Sequence, residues 1–211
     1  METIGNESKA KRFGKAAIDI APFAALAVII ITIISVPFAT VLLKFGKEEA
    51  DTMSYFILSE TLMLAGVFLS AWIVWHLRGF SLEGLGRSFT MRWKVWLSGI
   101  LLATVLYAVG FGISLWAGAV EIAEVAFNPS SLLISLVFFL LVAVTEELAL
   151  RGFVLERLLQ SGVNKFCALF LSAALFSLIH IGNPNFDFLS FINILLTGIL
   201  LGSSYIYTRT L

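Results

Sequence analysis

Long apolar runs separated by short polar connections dominate the sequence. Six runs, at about 19–43, 53–77, 95–118, 131–159, 164–183 and 187–207, each reach about the 20 residues that an α-helix needs to cross a bilayer. Lipid offers the backbone no hydrogen-bond partners, so such runs fold as helices. The pattern therefore predicts an all-α fold, a polytopic transmembrane helical bundle with about six transmembrane helices, in a single membrane-embedded domain over residues 1–211.

Charged residues lie mostly in the connections, and the sign of the charge alternates along the chain. Cations gather at the amino terminus, in the 78–94 loop and near 157–165, whereas the connections at 44–52 and 119–130 hold most of the intervening acids. Because cytoplasmic loops carry an excess of Lys and Arg, the pattern predicts that both chain ends, including Arg209, are cytoplasmic. We expect an integral protein of the cell membrane, with its amino terminus in the cytoplasm.

Composition excludes several function classes. The 211 residues are 59% hydrophobic, and Lys+Arg and Asp+Glu are equal in number at 14 each. Without a basic excess the chain gives no sign of nucleic-acid binding, and its single cysteine cannot form an intrachain disulfide. The expected partners are therefore the lipid bilayer and a molecule that reaches the protein from it.

Two adjacent glutamates, Glu146 and Glu147, lie inside the fourth apolar run. A charge near the bilayer centre costs roughly 2.5–3.5 kcal/mol on insertion scales, so such acids indicate a functional site. Glu147 and Arg151 have the four-residue spacing at which an acid and a base pair on one helix face. Glu146 is rotated by about 100° from Glu147, which leaves it available as a base. The structural alternative is that Glu147 and Arg151 pair only to lower each other's burial cost.

A second polar constellation, Phe176-Ser-Leu-Ile-His180, lies in the fifth run. Its four-residue spacing places the Phe176 ring beside the imidazole. At about 1.5 Å per residue, Glu146 lies roughly 22 Å, and His180 roughly 27 Å, from the turn at Ser161 and Gly162. An antiparallel hairpin would bring them to similar depth, where they could polarise a water and Glu146 could take its proton. The structural alternative for a lone histidine in an apolar helix is a hydrogen-bonded core residue.

Together these residues resemble a known family. Glu146-Glu147-x-x-x-Arg151, followed by Phe176-x-x-x-His180, is similar to the first two motifs of the CAAX protease and bacteriocin-processing family of intramembrane proteases. The resemblance implies a glutamate-dependent endopeptidase that cleaves a membrane-associated peptide or lipidated protein. Eukaryotic members of the family trim the residues that follow a prenylated cysteine.

The resemblance also implies a division of roles. Glu146 and His180 would activate the water, Glu147 and Arg151 would support them, and Phe176 would contact the substrate. The corresponding catalytic core covers residues 131–207.

A third, weaker segment of the family is matched by Phe191, Gly198 and Gly202, while a further helix with a His-x-x-x-Asn-type motif is not reached before Leu211. In the family that motif stabilises the oxyanion, and oxyanion donors are commonly worth about 10²–10³-fold in rate. Asn193 is the amide that could substitute, although an interhelical hydrogen bond is the favoured interpretation. The alternative function is a non-catalytic membrane immunity or peptide-binding factor with a degenerate site.

Metal and transport chemistry are less favoured. Glu and His can bind zinc, but the His-Glu-x-x-His spacing is absent and the two histidines occupy very different positions. We expect no metal and no cofactor, with a metal-assisted reaction as the alternative. A transporter with Glu146 as proton relay is disfavoured, since no inverted repeat is evident. Glu60, another acid inside an apolar run, is left without an assigned role.

Overall fold

The computed structural model describes residues 8–45, 52–79, 93–125 and 127–208. Within these ranges every regular element is helical: α1 (Lys9–Phe45), α2 (Thr52–Arg78), α3 (Trp93–Trp116), α4 (Pro129–Glu147), a π segment (Leu148–Leu155), α5 (Glu156–Gln160), α6 (Lys165–Leu178) and α7 (Phe188–Thr208). The predicted all-α fold is confirmed. The charged loop residues predicted at 46–51 and 80–92, and Arg209, lie outside the described residues.

Five helical stretches are long and apolar enough to cross a membrane: Lys9–Pro37, Ser54–Arg78, Leu97–Trp116, Pro129–Gln160 and Phe188–Thr208. The predicted fifth segment, 164–183, is shorter, because α6 has 14 residues and ends at Leu178. Pro184 disfavours a helical conformation at the residue before it, and Asn185 has a φ of 57°. A helix of this length spans about 21 Å, less than the roughly 30 Å of a hydrocarbon core. His180 therefore lies beyond α6 and not inside it.

The π segment joins α4 to α5 without a break. The backbone N–H of Glu156 bonds to the carbonyl of Arg151, five residues earlier, as well as to that of Phe153. Bonds of the five-residue type widen the helix locally and are frequent at functional sites. The predicted segment 131–159 is therefore one helical stretch with a change of winding just after Glu147.

The described helices fall into two compact units. One unit comprises residues 1–87 and 133–211, and the other comprises residues 88–132. The second unit contains α3, whose apolar side chains, such as Leu101, Tyr107 and Trp116, are exposed. Such a surface suits contact with lipid chains, because exposed apolar area is not penalised there.

The core of the first unit is built from close helix contacts. The ring of Phe23 in α1 stacks on that of Phe153 in the π segment, with 4.0 Å between centroids and a 19° interplanar angle. Gly66 lets α2 approach Ile31 of α1, since a Cβ at this position would lie 2.6 Å from the Ile31 side chain. The first contact fixes α1 against the helical stretch that carries the two glutamates, and the second fixes α2 against α1.

A polar cluster, here called the Asp19 cluster, joins three elements at one end of this unit. Asp19 of α1 is buried and accepts hydrogen bonds from Arg78 Nε at 2.8 Å and Arg157 Nη2 at 2.5 Å. Nearby, Arg12 Nη1 donates to the Gly162 carbonyl at 3.1 Å. These cations come from three segments predicted to lie on the same side of the membrane. In the folded unit, their hydrogen bonds join α1 to α2, to α5 and to the turn after α5.

Candidate active site

Glu146 and His180 are in direct contact. Oε1 of Glu146 lies 3.3 Å from Nε2 of His180, and the two side chains are 29% and 19% exposed. Glu146 lies on the last turn of α4, and His180 lies in the turn that follows α6. The expectation that a hairpin brings these residues to one depth is confirmed.

The end of α6 fixes the orientation of the His180 ring. Here the helix tightens, so that the backbone N–H of His180 bonds to the Ser177 carbonyl at 3.2 Å, three residues back. In an α-helix that N–H would donate its hydrogen bond to the Phe176 carbonyl, four residues back. The Phe176 carbonyl is instead 2.7 Å from Nδ1 of the imidazole. Because a carbonyl only accepts, Nδ1 carries a hydrogen.

This tautomer has a consequence for the opposite side of the ring. With the hydrogen on Nδ1, a neutral imidazole presents a lone pair at Nε2, and an ionised Glu146 would present another lone pair to it. The 3.3 Å contact is attractive only if a proton lies between the two atoms. A hydrogen bond between them requires either an imidazolium with a carboxylate or an imidazole with a carboxylic acid.

Arg151 supports the second glutamate. It is 1% exposed, and its Nη1 lies 3.1 Å from Oε1 of Glu147, as the four-residue spacing predicts. The guanidinium carbon lies 4.6 Å from the centroid of the Phe176 ring, and Nη2 is 3.5 Å from the Gly198 carbonyl. A buried cation is thus surrounded by an acid, an aromatic face and a carbonyl, each of which lowers the cost of its burial.

Phe176 connects the two halves of the site. Its ring and the His180 imidazole form a T-shaped contact, with 4.8 Å between centroids and a 77° interplanar angle, while its face lies against Arg151. Its side chain is almost completely buried. Phe176 therefore orients both residues, and its direct contact with a substrate stays a prediction.

A further acid that the sequence left without a role also lies near the pair. Glu60 of α2 is buried and close enough to Glu146 for the two carboxylates to interact electrostatically. An acid inside an apolar run was the available signal, but the sequence does not show which way it faces.

Asn193 is not drawn into this group. Its side chain is exposed on α7, and no hydrogen bond to Glu146 or His180 is found among the described residues. Its predicted role at the oxyanion stays a prediction. Among the residues that the structure describes, no three His, Cys, Asp or Glu side chains are grouped closely enough to hold a metal ion.

Comparison with known proteins agrees with the motifs. Residues 128–211 match the family model of Rce1-like proteins, described as type II CAAX prenyl endopeptidases. The match begins just before α4 and includes all six residues predicted for the site: Glu146, Glu147, Arg151, Phe176, His180 and Asn193. Comparisons with curated proteins and with solved structures found no significant match. The resemblance to CAAX proteases is confirmed, and it supports a hydrolase in a membrane setting.

Proposed function

Starting from this similarity to prenyl endopeptidases, we propose that the protein is an intramembrane endopeptidase that uses a water activated by Glu146 and His180. The observation that carries the proposal is the 3.3 Å contact between these side chains, which come from different helices. A paired acid and imidazole are suited to proton transfer near neutral pH. The partial exposure of both groups leaves room for a water beside them.

The proposed reaction transfers a proton of the water through Glu146 and keeps the Nε2 proton on His180 as a hydrogen-bond donor. In the form with imidazolium and carboxylate, Glu146 takes a proton from the water while the water oxygen bonds to the scissile carbonyl carbon. The Nε2–H of His180 then faces the negative charge that develops on the carbonyl oxygen. Collapse breaks the C–N bond, and the proton on Glu146 passes to the leaving nitrogen. The products are a new carboxyl end and a new amine.

Glu147 and Arg151 act in this scheme without touching the substrate. Their ion pair fixes the Glu147 and Arg151 side chains in place near Glu146. The Arg151 guanidinium also holds the Phe176 ring against the imidazole. Asn193 is the candidate for a second oxyanion donor. If it has that role, Asn193→Ala should lower kcat by about 10²-fold. An unchanged kcat would leave His180 as the donor.

We further propose that the Asp19 cluster and the amino terminus face the cytoplasm of a cell membrane. The cations at this end of the first unit match the positive-inside pattern. The substrate is proposed to be a peptide or lipidated protein that enters the site from the bilayer.

The test is cleavage of membrane-anchored peptides by the purified protein in lipid nanodiscs. Glu146→Gln and His180→Ala should each lower the rate by at least about 10²-fold, the usual contribution of a positioned acid or base. Glu121→Gln, which alters an exposed acid of the second unit, is the matched control and should keep the wild-type rate. Equal cleavage by the Glu146→Gln protein would overturn the assignment of the base.

Two further arms refine the result. A panel of prenylated and unmodified peptides identifies the substrate class. Activity that persists after strong chelation supports a reaction without metal, whereas a complete loss that zinc restores would contradict it. Binding of a peptide without any cleavage would favour the non-catalytic alternative.

A further inference from the structure

Glu60 differs from the other buried acids of the first unit. Asp19 is paired with two arginines, and Glu156 accepts a hydrogen bond from Tyr205 at 3.0 Å. Glu60 is only 8% exposed, yet it makes no hydrogen bond or ion pair with any residue in the described ranges. Among the described residues, this mostly buried carboxylate therefore has no hydrogen-bond or ion-pair partner.

Such a group needs a positive or hydrogen-bonding partner. Removing an ionised carboxylate from water is unfavourable unless a cation or donors accompany it. Arg151 interacts electrostatically with Glu146, but its ion pair is with Glu147. An ionisable residue inside a membrane protein marks a functional site by default, and no described residue supplies the partner of Glu60.

The register of the helices places Glu60 beside the proposed site. The rings of Phe56 in α2 and Phe138 in α4 are 6.0 Å apart, and both stretches run from there toward the Asp19 cluster. Glu60 follows Phe56 by four residues, and Glu146 follows Phe138 by eight. At about 1.5 Å per residue, Glu60 lies about 6 Å short of Glu146 along the axis, or roughly one turn. The electrostatic interaction of the two carboxylates agrees with this placement.

We propose that Glu60 binds a basic residue, Lys or Arg, of the peptide that the protein cleaves. This inference rests on the proposed endopeptidase function. An extended peptide advances about 3.3 Å per residue, so a separation of about 6 Å corresponds to roughly two residues from the scissile bond. The carboxylate would accept charge-assisted hydrogen bonds from the ammonium or guanidinium group, and these are among the stronger polar contacts in proteins. A peptide with an acid at that position would be rejected by repulsion.

The test measures binding, so that it does not depend on cleavage. Three membrane-anchored peptides carry Lys, Gln or Glu two residues from the expected scissile bond, and their binding to Glu146→Gln protein is followed by fluorescence anisotropy. The Lys peptide should bind about tenfold more tightly than the Gln peptide, since charged hydrogen bonds are worth at least that factor. Adding Glu60→Gln should remove this preference, and adding Glu60→Lys should reverse it in favour of the Glu peptide.

The controls separate charge from folding. Glu124→Gln removes the same charge from an exposed position and should keep the Lys preference. Glu60→Asp keeps the charge one methylene further away and should retain part of the preference, which gives a second variant if Glu60→Gln does not fold. The inference is overturned if protein with Glu60 binds all three peptides equally, or if Glu60→Gln leaves the preference intact. A Lys peptide that binds through Glu60 but is not cleaved by the wild type would contradict the endopeptidase function alone.

Discussion

The carbonyl oxygen of Phe176 accepts a hydrogen bond from Nδ1 of His180 at 2.7 Å. This contact is possible because α6 tightens at its end and the carbonyl loses its usual backbone donor. The end of a helix thus selects the tautomer of a candidate catalytic histidine. The opposite nitrogen, Nε2, is left to face Glu146.

The first prediction concerns this tautomer. In protein labelled with ¹⁵N-histidine, the Nδ1 resonance of His180 should show an attached hydrogen at neutral pH. It should keep that hydrogen in Glu146→Gln, because the new amide can donate to Nε2. His76 is the other histidine of the chain, and a His76→Asn variant assigns the spectrum. A hydrogen found only on Nε2 in the wild type would contradict the proposed orientation.

The second prediction concerns the buried cation. Arg151→Met leaves the partly exposed Glu147 carboxylate without its partner, which costs less than the roughly 3–5 kcal/mol of breaking a fully buried pair. Thermal unfolding in detergent should show a clear fall in Tm. Arg151→Lys keeps the charge but loses the planar group above Phe176, so its Tm should fall less.

A double variant provides the control for this pair. Arg151→Met combined with Glu147→Gln removes both charges and should recover part of the lost stability. If Arg151→Met alone unfolds at the wild-type temperature, the ion pair does not stabilise the fold.

The third prediction compares two glycines of α7. A Cβ at Gly198 would lie 3.0 Å from both Cα and Cβ of Ala173, which cannot move without shifting α6. A Cβ at Gly202 would instead meet the end of the Leu169 side chain, at 2.6 Å, which can rotate away. Gly198→Ala should therefore destabilise the protein by about 1–3 kcal/mol, and Gly202→Ala by less.

The two variants should also differ in activity. The same Cβ at Gly198 would lie 3.2 Å from the ring of Phe176, so the substitution should disturb the His180 orientation and slow peptide cleavage. Peptide cleavage and Tm, measured side by side, check both effects. Equal losses in the two variants would contradict the role of Gly198 at the site.

The fourth prediction concerns pH and the start of α7. The hydroxyl and backbone N–H of Ser190 donate to Oδ1 of Asp187, at 2.6 and 2.7 Å. These hydrogen bonds hold the pKa of Asp187 below its usual range. The folded pKa is thus lower than the unfolded value of about 3.9, so the stabilisation is present above that pH and is lost as pH falls through the folded pKa.

Hydrogen exchange can measure this effect. Protection factors of the first amides of α7 should fall as the pH drops below about 4. Asp187→Asn can still cap the helix but does not titrate, so its protection factors should not change over this range. A wild-type profile as flat as that of the variant would contradict the prediction.

Much of the site followed from simple sequence rules. The acid pair in an apolar run predicted where the site lies. The constant rise of a helix predicted that His180 and Glu146 lie at a similar depth. The end of α6 did not follow from these rules. Ile179 and Ile181 extend the apolar pattern past Leu178, whereas the conformation there depends on the polar turn that follows.

Other features depend on packing that no local pattern records. The amino-acid composition of the π segment does not distinguish it from an α-helix. Glu60 was visible as a membrane acid, but only the contact between α2 and α4 and its electrostatic interaction with Glu146 place it near the candidate site. Asn193 was chosen by residue type, and the direction of its side chain was not predictable.

The π segment holds more residues per turn than the α-helical parts of the stretch 129–160 on either side of it. If the same residues were wound as an α-helix, Glu146 would turn by about 100° for each additional residue relative to Phe153 and the residues that follow. The stacking of Phe23 on Phe153 and the Asp19 cluster fix the later part of the stretch, and the contact with His180 fixes the direction of Glu146. The wide turn thus lets the chain carry an additional residue beside the site without turning the acid away from the histidine.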